Sequence, residues 1–267
     1  MSYDVKGKRV LVTGASSGIG AGLARALAHA GATVGICARR ADRLAEVLAD
    51  CQTSAPDSRS WVIDLADLGG IEAFAAQVEA DLGGVDVLVN NAGIPKRRHG
   101  LELTPDVLEA VMAINYQSPA RLTLALLPGM VRRGSGRVLT ISSVAARLGP
   151  PREAAYSASK AAITAFMESL EVDLDGTGVS LHLLNPGIID TELFQLPDNE
   201  ESLADLEPLP VEAVSEAVLR QLDEGTFEVY VPDWFKDVAS GRAQDVGAFI
   251  EGTKAWVRDR GAATTAG

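Results

Sequence analysis

The sequence predicts an α/β fold built as a doubly wound parallel sheet of about seven strands, with helices on both faces, in a single domain. Two observations lead to this prediction. Short apolar runs alternate with longer segments of helical periodicity, which is typical of strands joined by crossover helices. The runs are apolar without alternation, as strands buried on both faces must be. One domain, residues 1–267, is the simplest account because no repeat or linker interrupts the pattern.

The elements follow one another in a regular order. The predicted strands are residues 9–13, 33–37, 59–63, 85–89, 136–141, 179–184 and 226–231. The predicted helices are residues 18–30, 42–49, 67–82, about 104–132, 154–173 and 211–222, with a C-terminal helical extension at about 239–260. Thr104 and Pro105 mark a helix start. Proline and acidic residues are frequent at about 188–210, which predicts a mobile lid.

Charge, cysteine and histidine content exclude several classes of function. The net charge of −12 argues against nucleic-acid binding, because phosphate neutralisation needs clustered basic residues. The two cysteines, Cys37 and Cys51, form no disulfide or metal pattern, so the cytoplasm is the expected location. The three histidines lie far apart, and we expect no metal site. The apolar stretch at 23–38 contains charged and glycine residues, so we expect no integral membrane segment.

The first predicted strand runs into a glycine-rich turn, Thr13-Gly14-Ala15-Ser16-Ser17-Gly18-Ile19-Gly20, and a helix follows at once. Glycines let backbone amides approach a pyrophosphate, and the positive end of the helix favours its charge. A tight turn in which glycine is merely convenient is the alternative. The position between the first strand and the first helix favours the dinucleotide-binding loop of a Rossmann-type fold.

The second predicted strand ends in basic residues. An acid about 20 residues beyond the glycines would bind the ribose 2′-hydroxyl of NAD. Arg39 and Arg40 stand there instead, and guanidinium groups suit the 2′-phosphate of NADP. A solvated pair that opens the next helix is the alternative. The sequence therefore favours NADP(H) as the cofactor and leaves NAD(H) possible.

Tyr156 and Lys160 stand four residues apart and share one face of a predicted helix. A tyrosine hydroxyl has a pKa of about 10 and is a poor base near neutral pH. Lowering that pKa to about 7 requires ~4 kcal/mol of preferential stabilisation of the phenolate. The Lys160 cation and an oxidised nicotinamide ring would supply it. An ordinary helix face is the alternative, because this spacing is common by chance.

Polar segments follow the central strands. They are Asn90-Asn91-Ala92-Gly93 after the fourth strand, Ser142-Ser143 after the fifth, and Pro186-Gly187 with Thr191 after the sixth. Asn115 lies on the helix between the fourth and fifth strands. The carboxyl ends of parallel strands meet at one edge of the sheet, where ligands bind. We therefore expect these segments to form one site with the glycine loop and Tyr156.

Together these motifs resemble the short-chain dehydrogenase/reductase family in its single-domain branch, from Lys8 to about Val231. The resemblance implies a catalytic tetrad of Asn115, Ser143, Tyr156 and Lys160. It also implies that the cofactor contacts Gly14, Ser16, Ser17, Gly18, Ile19, Gly20, Arg39, Arg40, Asp64, Leu65, Asn91, Ala92, Gly93, Tyr156, Lys160, Pro186, Gly187, Ile188 and Thr191.

The resemblance implies a role for each member of the tetrad. Tyr156 is expected to be the general acid in reduction and the base in oxidation of a carbonyl/alcohol pair. Ser143 is expected to hydrogen-bond the substrate oxygen. Lys160 is expected to bind the nicotinamide ribose and lower the tyrosine pKa, and Asn115 to hold a water that links Lys160 to solvent. A basic residue at the position of Ser17, the family's second NADP marker, is absent.

Three segments that bear on the substrate each have two interpretations. The loop carries Leu193, Phe194, Leu196 and Leu203 interleaved with Asp198, Glu200 and Glu201. It predicts either a lid with an apolar underside or an amphipathic surface helix. The basic run at 96–99 would attract an anionic substrate, although a solvated loop is commoner. The C-terminal aromatic residues Tyr230, Trp234, Phe235, Phe249 and Trp256 indicate core packing or a subunit interface, with a substrate mouth or a membrane-surface contact as alternatives.

Two other functions are compatible with part of the pattern. A non-catalytic dinucleotide-binding regulator on the same fold would need neither Tyr156 nor Lys160. An epimerase or dehydratase of the extended branch usually has a differently spaced glycine loop and a longer C-terminal domain. We therefore predict an oxidoreductase that acts on a small-molecule carbonyl or alcohol. Family members usually pair the helix at 154–173 between subunits, which implies a homodimer or homotetramer.

Overall fold

A parallel sheet forms the centre of the fold. The computed structural model describes residues 3–195, 199–200, 202–203 and 206–265. The strands in this part of the chain are β1 (Arg9–Thr13), β2 (Thr33–Ala38), β3 (Arg59–Val62), β4 (Val87–Asn90), β5 (Gly136–Ile141), β6 (Val179–Pro186) and β7 (Glu228–Val231). They form one sheet in the order β3-β2-β1-β4-β5-β6-β7, and every pairing is parallel. The predicted single-domain, doubly wound sheet of about seven strands is confirmed.

Helices cover both faces of this sheet. Those of the described residues are α1 (Gly18–His29), α2 (Ala41–Gln52), α3 (Ile71–Leu82), α4 (Pro105–Met112), α5 (Ser118–Arg133), α6 (Ala145–Leu148), α7 (Ala154–Asp173), α8 (Val211–Glu224), α9 (Phe235–Gln244) and α10 (Val246–Thr265). α1 packs between α2 and α8, and α5 packs between α3 and α7. The chain therefore has two apolar cores, one on each face of the sheet.

The apolar strands explain why the sheet is buried on both sides. β1 reads Arg-Val-Leu-Val-Thr, and its side chains point alternately to the two cores. Val10 and Val12 contribute to one core and Leu11 to the other. Each of these three side chains is fully buried. Burying apolar surface stabilises a fold by about 25 cal/mol per Å², so both helical layers are held to the sheet by its own side chains.

The strand order places a crevice above the centre of the sheet. After β1 the chain winds to β2 and β3, and it then returns to β4 on the other side of β1. Connections at this switch point diverge, and the carboxyl ends of β1 and β4 are left open to a ligand. The glycine loop follows β1, and the Asn-Asn-Ala-Gly segment follows β4. The fold therefore brings the two predicted binding segments side by side.

The long helical region after β4 is interrupted. A π-helical turn, Ala113–Gln117, separates α4 from α5. Such a turn inserts one extra residue into a helix and often occurs at functional sites. Asn115 lies at its centre and is buried. The interruption turns this side chain inward, toward the carboxyl edge of the sheet.

The C-terminal extension predicted at about 239–260 is helical. It consists of two helices, α9 from Phe235 and α10 from Val246. Asp245 separates them with an extended backbone, φ −147° and ψ 90°. Its carboxylate oxygen Oδ1 accepts a hydrogen bond from the backbone amide of Ala248 at 2.8 Å. An aspartate that caps a new helix in this way ends the preceding one.

Two smaller differences lie near the site. The sequence predicts no element directly after the fifth strand, but the structure has the short helix α6 there. It ends at Gly149, which adopts φ +61°. The fourth strand begins at Val87 rather than at residue 85. Asp86, just before it, bonds to the guanidinium of Arg9, with its Oδ1 2.6 Å from Arg9 Nη2.

Candidate active site

A cleft of about 950 Å³ opens at the carboxyl edge of the sheet. Of the residues predicted to bind cofactor or take part in catalysis, all but two line this cleft. The exceptions, Gly20 and Asn115, lie behind its wall. The cleft runs from the glycine loop at one end to the C-terminal helix α10 at the other. Its two ends differ in polarity.

The glycine loop forms the polar end. Gly14 and Gly18 adopt φ +67° and φ +53°, a region that favours glycine. A Cβ at Gly14 would lie 2.7 Å from Ala92 Cα, and one at Gly18 would lie 3.1 Å from Thr191 Cγ2. α1 begins at Gly18 with no acidic residue in its first turn. This narrow, backbone-lined cradle at a helix N-terminus fits the pyrophosphate of a dinucleotide.

Gly20 does not line the cleft, but its lack of a side chain allows Asn91 to pack close to the glycine loop. A Cβ there would lie 2.4 Å from Asn91 Nδ2 and 2.5 Å from the carbonyl oxygen of Gly14. Asn91 Nδ2 donates to the carbonyl oxygens of Thr13 at 2.9 Å and Gly14 at 3.3 Å. The Thr13 hydroxyl in turn accepts hydrogen bonds from the backbone amides of Asn91 and Ala92. The ends of β1 and β4 are thereby locked together, which fixes the shape of the loop.

Basic side chains line the rim beyond the loop. Arg39 is exposed and Arg40 is half-buried, and both border the cleft. Asp64 and Leu65, after β3, line the same end. Arg40 Nη2 lies 3.0 Å from Ser16 Oγ and 2.6 Å from Ser17 Oγ. A guanidinium anchored on the loop is suited to bind an anionic group of a ligand.

Three of the four tetrad residues, Ser143, Tyr156 and Lys160, line the cleft together. Ser143 follows β5, and Tyr156 and Lys160 lie on the first two turns of α7. The ammonium of Lys160 is buried and donates a hydrogen bond to the Ile141 carbonyl at 2.8 Å. It lies 5.8 Å from the centroid of the Tyr156 ring. The expected i, i+4 arrangement on one helix face is therefore present.

The electrostatics of Tyr156 differ from the expectation. Burial raises the pKa of its hydroxyl, and the charge of Glu153 raises it further. A hydrogen bond with Ser143 and the charge of Arg97 lower this pKa, but the net pKa is raised. The lowered tyrosine pKa that the sequence suggests is therefore not a property of these side chains alone. Burial also lowers the pKa of Lys160 to about 8, so its ammonium remains mostly charged at pH 7.

Asn115 lies behind the cleft wall. Its Nδ2 donates to the Ile94 carbonyl at 2.9 Å and to Ser159 Oγ at 3.0 Å, and its Oδ1 accepts from the Ile94 amide at 2.9 Å. A Cβ on Gly93 would lie 3.3 Å from Asn115 Oδ1 and 3.7 Å from Lys160 Nζ. The side chain thus clamps the segment after β4 close to Lys160. That it holds a water remains a prediction.

The other end of the cleft is mostly apolar. Its lining comes from the segments after β4, β5 and β6 and from the C-terminal helices: Ile94, Pro95, Val144, Leu148, Ile189, Leu193, Leu203, Leu206, Phe235, Phe249 and Trp256. The leucines in the described part of the loop after β6 thus border the cleft, and the motion of a lid there stays a prediction. Leu196, Asp198 and Glu201 lie outside the described residues, and the side chain of Phe194 is likewise not described.

Two charged residues interrupt this apolar end. Arg97 is only 2 % exposed, so a solvated loop is the wrong interpretation for this member of the basic run. Its Nε donates to the carbonyl of Glu200 at 2.8 Å. Glu153, one helical turn before Tyr156, also lines the cleft. Burial raises the pKa of its carboxyl to about 7, although the charge of Arg97 lowers it.

Sequence reasoning missed several lining residues. Glu153 carried a usable signal, because it stands three residues before Tyr156 and shares its helix face. Glu192 carried a weaker one, directly after Thr191. The aromatic side chains of α9 and α10 were noted in the sequence, but their place on the cleft depends on how the two C-terminal helices pack. Phe249 and Trp256 line the cleft, and the substrate-mouth alternative for them stays a prediction.

The described residues offer neither a metal cluster nor a membrane span. No group of three or more histidine, cysteine, aspartate or glutamate side chains in that part of the chain is placed to hold a metal ion. Within the same ranges, none of the helices combines the length and the apolar character that a membrane span needs.

Comparisons with known proteins identify the family of the chain. The sequence profile of the short chain dehydrogenase family matches residues 8–201. A short chain dehydrogenase of Pseudocercospora fijiensis is 41 % identical over 209 residues, covering 77 % of this chain and 67 % of its own. The chain spans 60 % and 61 % of two further curated relatives. The chain belongs to the short-chain dehydrogenase/reductase family, as the motifs predict.

Solved structures show the same architecture. A short-chain dehydrogenase from Streptomyces avermitilis has a TM-score of 0.81 and 32 % identity, covering 95 % of this chain and 98 % of its own. An alcohol dehydrogenase from Thermococcus sibiricus, solved with 5-hydroxy-NADP, has a TM-score of 0.74 and 27 % identity, covering 84 % of this chain and 96 % of its own. The matched profile ends at residue 201, so it does not include α9 and α10, whose side chains Phe235, Phe249 and Trp256 line the apolar end of the cleft.

Proposed function

We propose that this protein is an NAD(P)(H)-dependent oxidoreductase that interconverts a carbonyl compound and an alcohol, with Tyr156 as the general acid and base. The observation that carries this proposal is the meeting of Ser143, Tyr156 and Lys160 in one cleft with the glycine loop. A regulator that only bound a dinucleotide would have no need of a buried lysine beside a tyrosine. The family relationship supports the same reaction class.

In a reduction, each of these side chains would have a separate role. The nicotinamide, when bound, supplies the hydride that adds to the carbonyl carbon. Ser143 and Tyr156 hydrogen-bond to each other, so a substrate oxygen placed between them would accept a hydrogen bond from each. Tyr156 gives its proton to that oxygen as negative charge develops there. The Lys160 ammonium stabilises the resulting phenolate, and in oxidation the same steps run backward.

We propose NADP(H) as the preferred cofactor, with NAD(H) as a possible alternative. Arg39 and Arg40 border the cleft at the rim where the adenosine ribose of a dinucleotide would lie, and no acidic residue ends β2. The alcohol dehydrogenase from Thermococcus sibiricus is complexed with an NADP derivative, which is compatible with this preference. Use of NADP(H) would in turn favour reduction as the physiological direction.

The shape of the cleft supports a class of substrate. Leucine, phenylalanine and tryptophan side chains from three segments converge on the apolar end, so we propose a carbonyl compound with a large apolar part. Pockets of this kind bind their ligands through apolar walls and a few polar groups that fix orientation. Ser143 and Tyr156 are those polar groups near the reacting oxygen.

The proposed function is tested by following NADPH oxidation over a panel of ketones, aldehydes, steroids, quinones and acyl thioesters. We expect turnover of at least one bulky apolar carbonyl compound and much less turnover of acetone. Tyr156→Phe should abolish the turnover that the wild type shows. Equal turnover by wild type and Tyr156→Phe would contradict the assigned chemistry.

Location and assembly complete the proposal. Cys37 and Cys51 are both free and buried, and this supports a cytoplasmic location. A homodimer or homotetramer is proposed from the usual assembly of the family, with α7 at the subunit contact. Light scattering at micromolar concentration tests the assembly, and a monomer would refute it.

A further inference from the structure

Glu192 pairs with two arginines at the rim of the glycine-loop end of the cleft. It opens the 3₁₀ helix Glu192–Gln195 directly after Thr191. Its Oε1 lies 2.6 Å from Arg40 Nη1, and its Oε2 lies 2.5 Å from Arg43 Nη1. A hydrogen bond from Ser17, with further ones from Arg43 and Arg40, lowers the pKa of this carboxyl to about 2. The carboxylate is therefore charged at any physiological pH.

The groups that hold this carboxylate are those suited to a phosphate. Arg40 is anchored on the glycine loop through Ser16 and Ser17. Its guanidinium thus lies between the glycine loop and Glu192 and contacts both. Two arginines and a serine hydroxyl form the kind of donor set that binds phosphate oxygens. Arg40 and Glu192 both border the cleft, so a phosphate at this rim would meet the same donors.

A carboxylate and a phosphate at one site oppose each other. Glu192 neutralises part of the positive charge of the two arginines, and it occupies donors that a phosphate would use. The carboxylate of Glu192 would also repel the negative charge of a 2′-phosphate, whereas it would not repel the neutral 2′-hydroxyl of NAD(H). Of the two nicotinamide dinucleotides, only NADP(H) carries a phosphate on the 2′-oxygen of the adenosine ribose. The effect therefore falls on one cofactor and spares the other.

We propose that Glu192 is a cofactor-selectivity residue, which competes with the ribose 2′-phosphate for Arg40 and Arg43 and thereby limits the preference for NADP(H). The inference rests on the proposed function, because it takes the rim near Arg39 and Arg40 as the site of the adenosine ribose. It adds a residue from the loop after β6, far in sequence from the end of β2. Selectivity is then set from both sides of the cleft.

Direct binding tests this inference without any substrate. The dissociation constants of NADPH and NADH are measured by fluorescence titration for wild type, Glu192→Gln and Glu46→Gln, and those of 2′,5′-ADP and 5′-AMP by calorimetry. Glu46 is the matched control, because its charge also acts on Arg43 and it is exposed on α2. Both variants remove one negative charge, but only Glu192→Gln removes the carboxylate that pairs with Arg40.

The expected result is a change in the ratio of affinities. Glu192→Gln should bind NADPH and 2′,5′-ADP about five-fold more tightly, the equivalent of ~1 kcal/mol for a solvent-exposed ion pair. The affinities for NADH and 5′-AMP should stay nearly unchanged, and Glu46→Gln should alter the ratio far less. Added salt should diminish the gain, because exposed charges are screened.

Two outcomes would overturn the inference, and a further variant separates it from the proposed function. An NADPH-to-NADH affinity ratio in Glu192→Gln equal to that of wild type would overturn it, and so would a weaker affinity for 2′,5′-ADP. If Arg39→Ala weakens NADPH binding while Glu192→Gln changes nothing, only the role of Glu192 fails. If Arg39→Ala leaves NADPH binding unchanged while Glu192→Gln tightens it selectively, the proposed role of Arg39 fails and the inference stands on Arg40 and Arg43.

Discussion

Replacing Lys160 by methionine should raise the apparent pKa of the group that transfers the proton. Methionine keeps most of the side-chain length but has no charge, so the variant isolates the effect of the ammonium. The wild-type ammonium lies 5.8 Å from the Tyr156 ring centroid. At an effective dielectric constant of about 20, a unit charge at that distance stabilises a phenolate by ~3 kcal/mol, or about two pKa units.

This magnitude also explains why the lysine does not act alone. Bringing a tyrosine pKa from about 10 to about 7 requires ~4 kcal/mol, and burial and Glu153 push the pKa of Tyr156 the other way. In the proposed mechanism, an oxidised nicotinamide ring would supply further positive charge when it is bound. Because the Lys160 pKa is lowered to about 8, its contribution is fully present below that pH and is lost as the pH rises through it.

The assay is the pH dependence of kcat for alcohol oxidation at saturating cofactor. Lys160→Met should move the midpoint upward by about two pH units and lower the rate at pH 7 by about 100-fold. Lys254→Met is the control, since this exposed lysine on α10 pairs only with Glu251 among the contacts described for it, at 2.7 Å. An unchanged midpoint in Lys160→Met would refute the electrostatic role of the lysine.

Three further predictions concern the loop, the acid near Tyr156 and the apolar mouth. Gly20→Ala should lower the free energy of unfolding by about 1–3 kcal/mol in urea titrations, because its Cβ would displace the Asn91 amide from its hydrogen bonds; unchanged stability would contradict this. Glu153→Gln should move the oxidation midpoint to lower pH, with the largest effect above pH 7, since the ionised carboxylate raises the pKa of Tyr156; an upward move would count against it. Trp256→Ala should raise KM for a bulky ketone by about ten-fold and leave KM for a small ketone unchanged; equal effects on both would show that the side chain does not contact substrate.

The parts of the site that were predictable from the sequence are local in the chain. The glycine loop joins two adjacent elements, and Tyr156 and Lys160 are separated by one helical turn. In both cases the residues are close in sequence, so the regular geometry of the adjoining strand or helix fixes their positions relative to one another. The meeting of the polar segments at the carboxyl edge of the sheet was also predictable, because parallel strands end on the same side of a sheet.

The parts that were not predictable depend on distant packing. Glu192 and Arg43 are 149 residues apart in sequence, and no periodicity connects them. The burial of Arg97 depends on its contact with residue 200 of the loop after β6. Placement of the apolar mouth depends on the break at Asp245, where one carboxylate ends one helix and caps the next. Each of these follows from tertiary contacts that a local pattern does not encode.

The raised pKa of Tyr156 is another property that the sequence pattern alone does not predict. The spacing of tyrosine and lysine identifies the partners, but it gives no measure of the burial that opposes ionisation. That burial depends on the walls of the cleft, which come from segments far along the chain. The structure thus adds that burial opposes ionisation of Tyr156, so in the proposed mechanism the tyrosine would need additional positive charge beside it.

The most direct test of the central claim is a single comparison of wild type with Tyr156→Phe. The substitution removes one hydroxyl and keeps the ring that fills the cleft. With any carbonyl compound that wild type reduces, kcat of the variant should fall by about 10³-fold, while the variant still binds NADPH and unfolds as cooperatively as wild type. A variant that keeps a tenth or more of the wild-type kcat would contradict the assignment of Tyr156 as the proton-transferring residue.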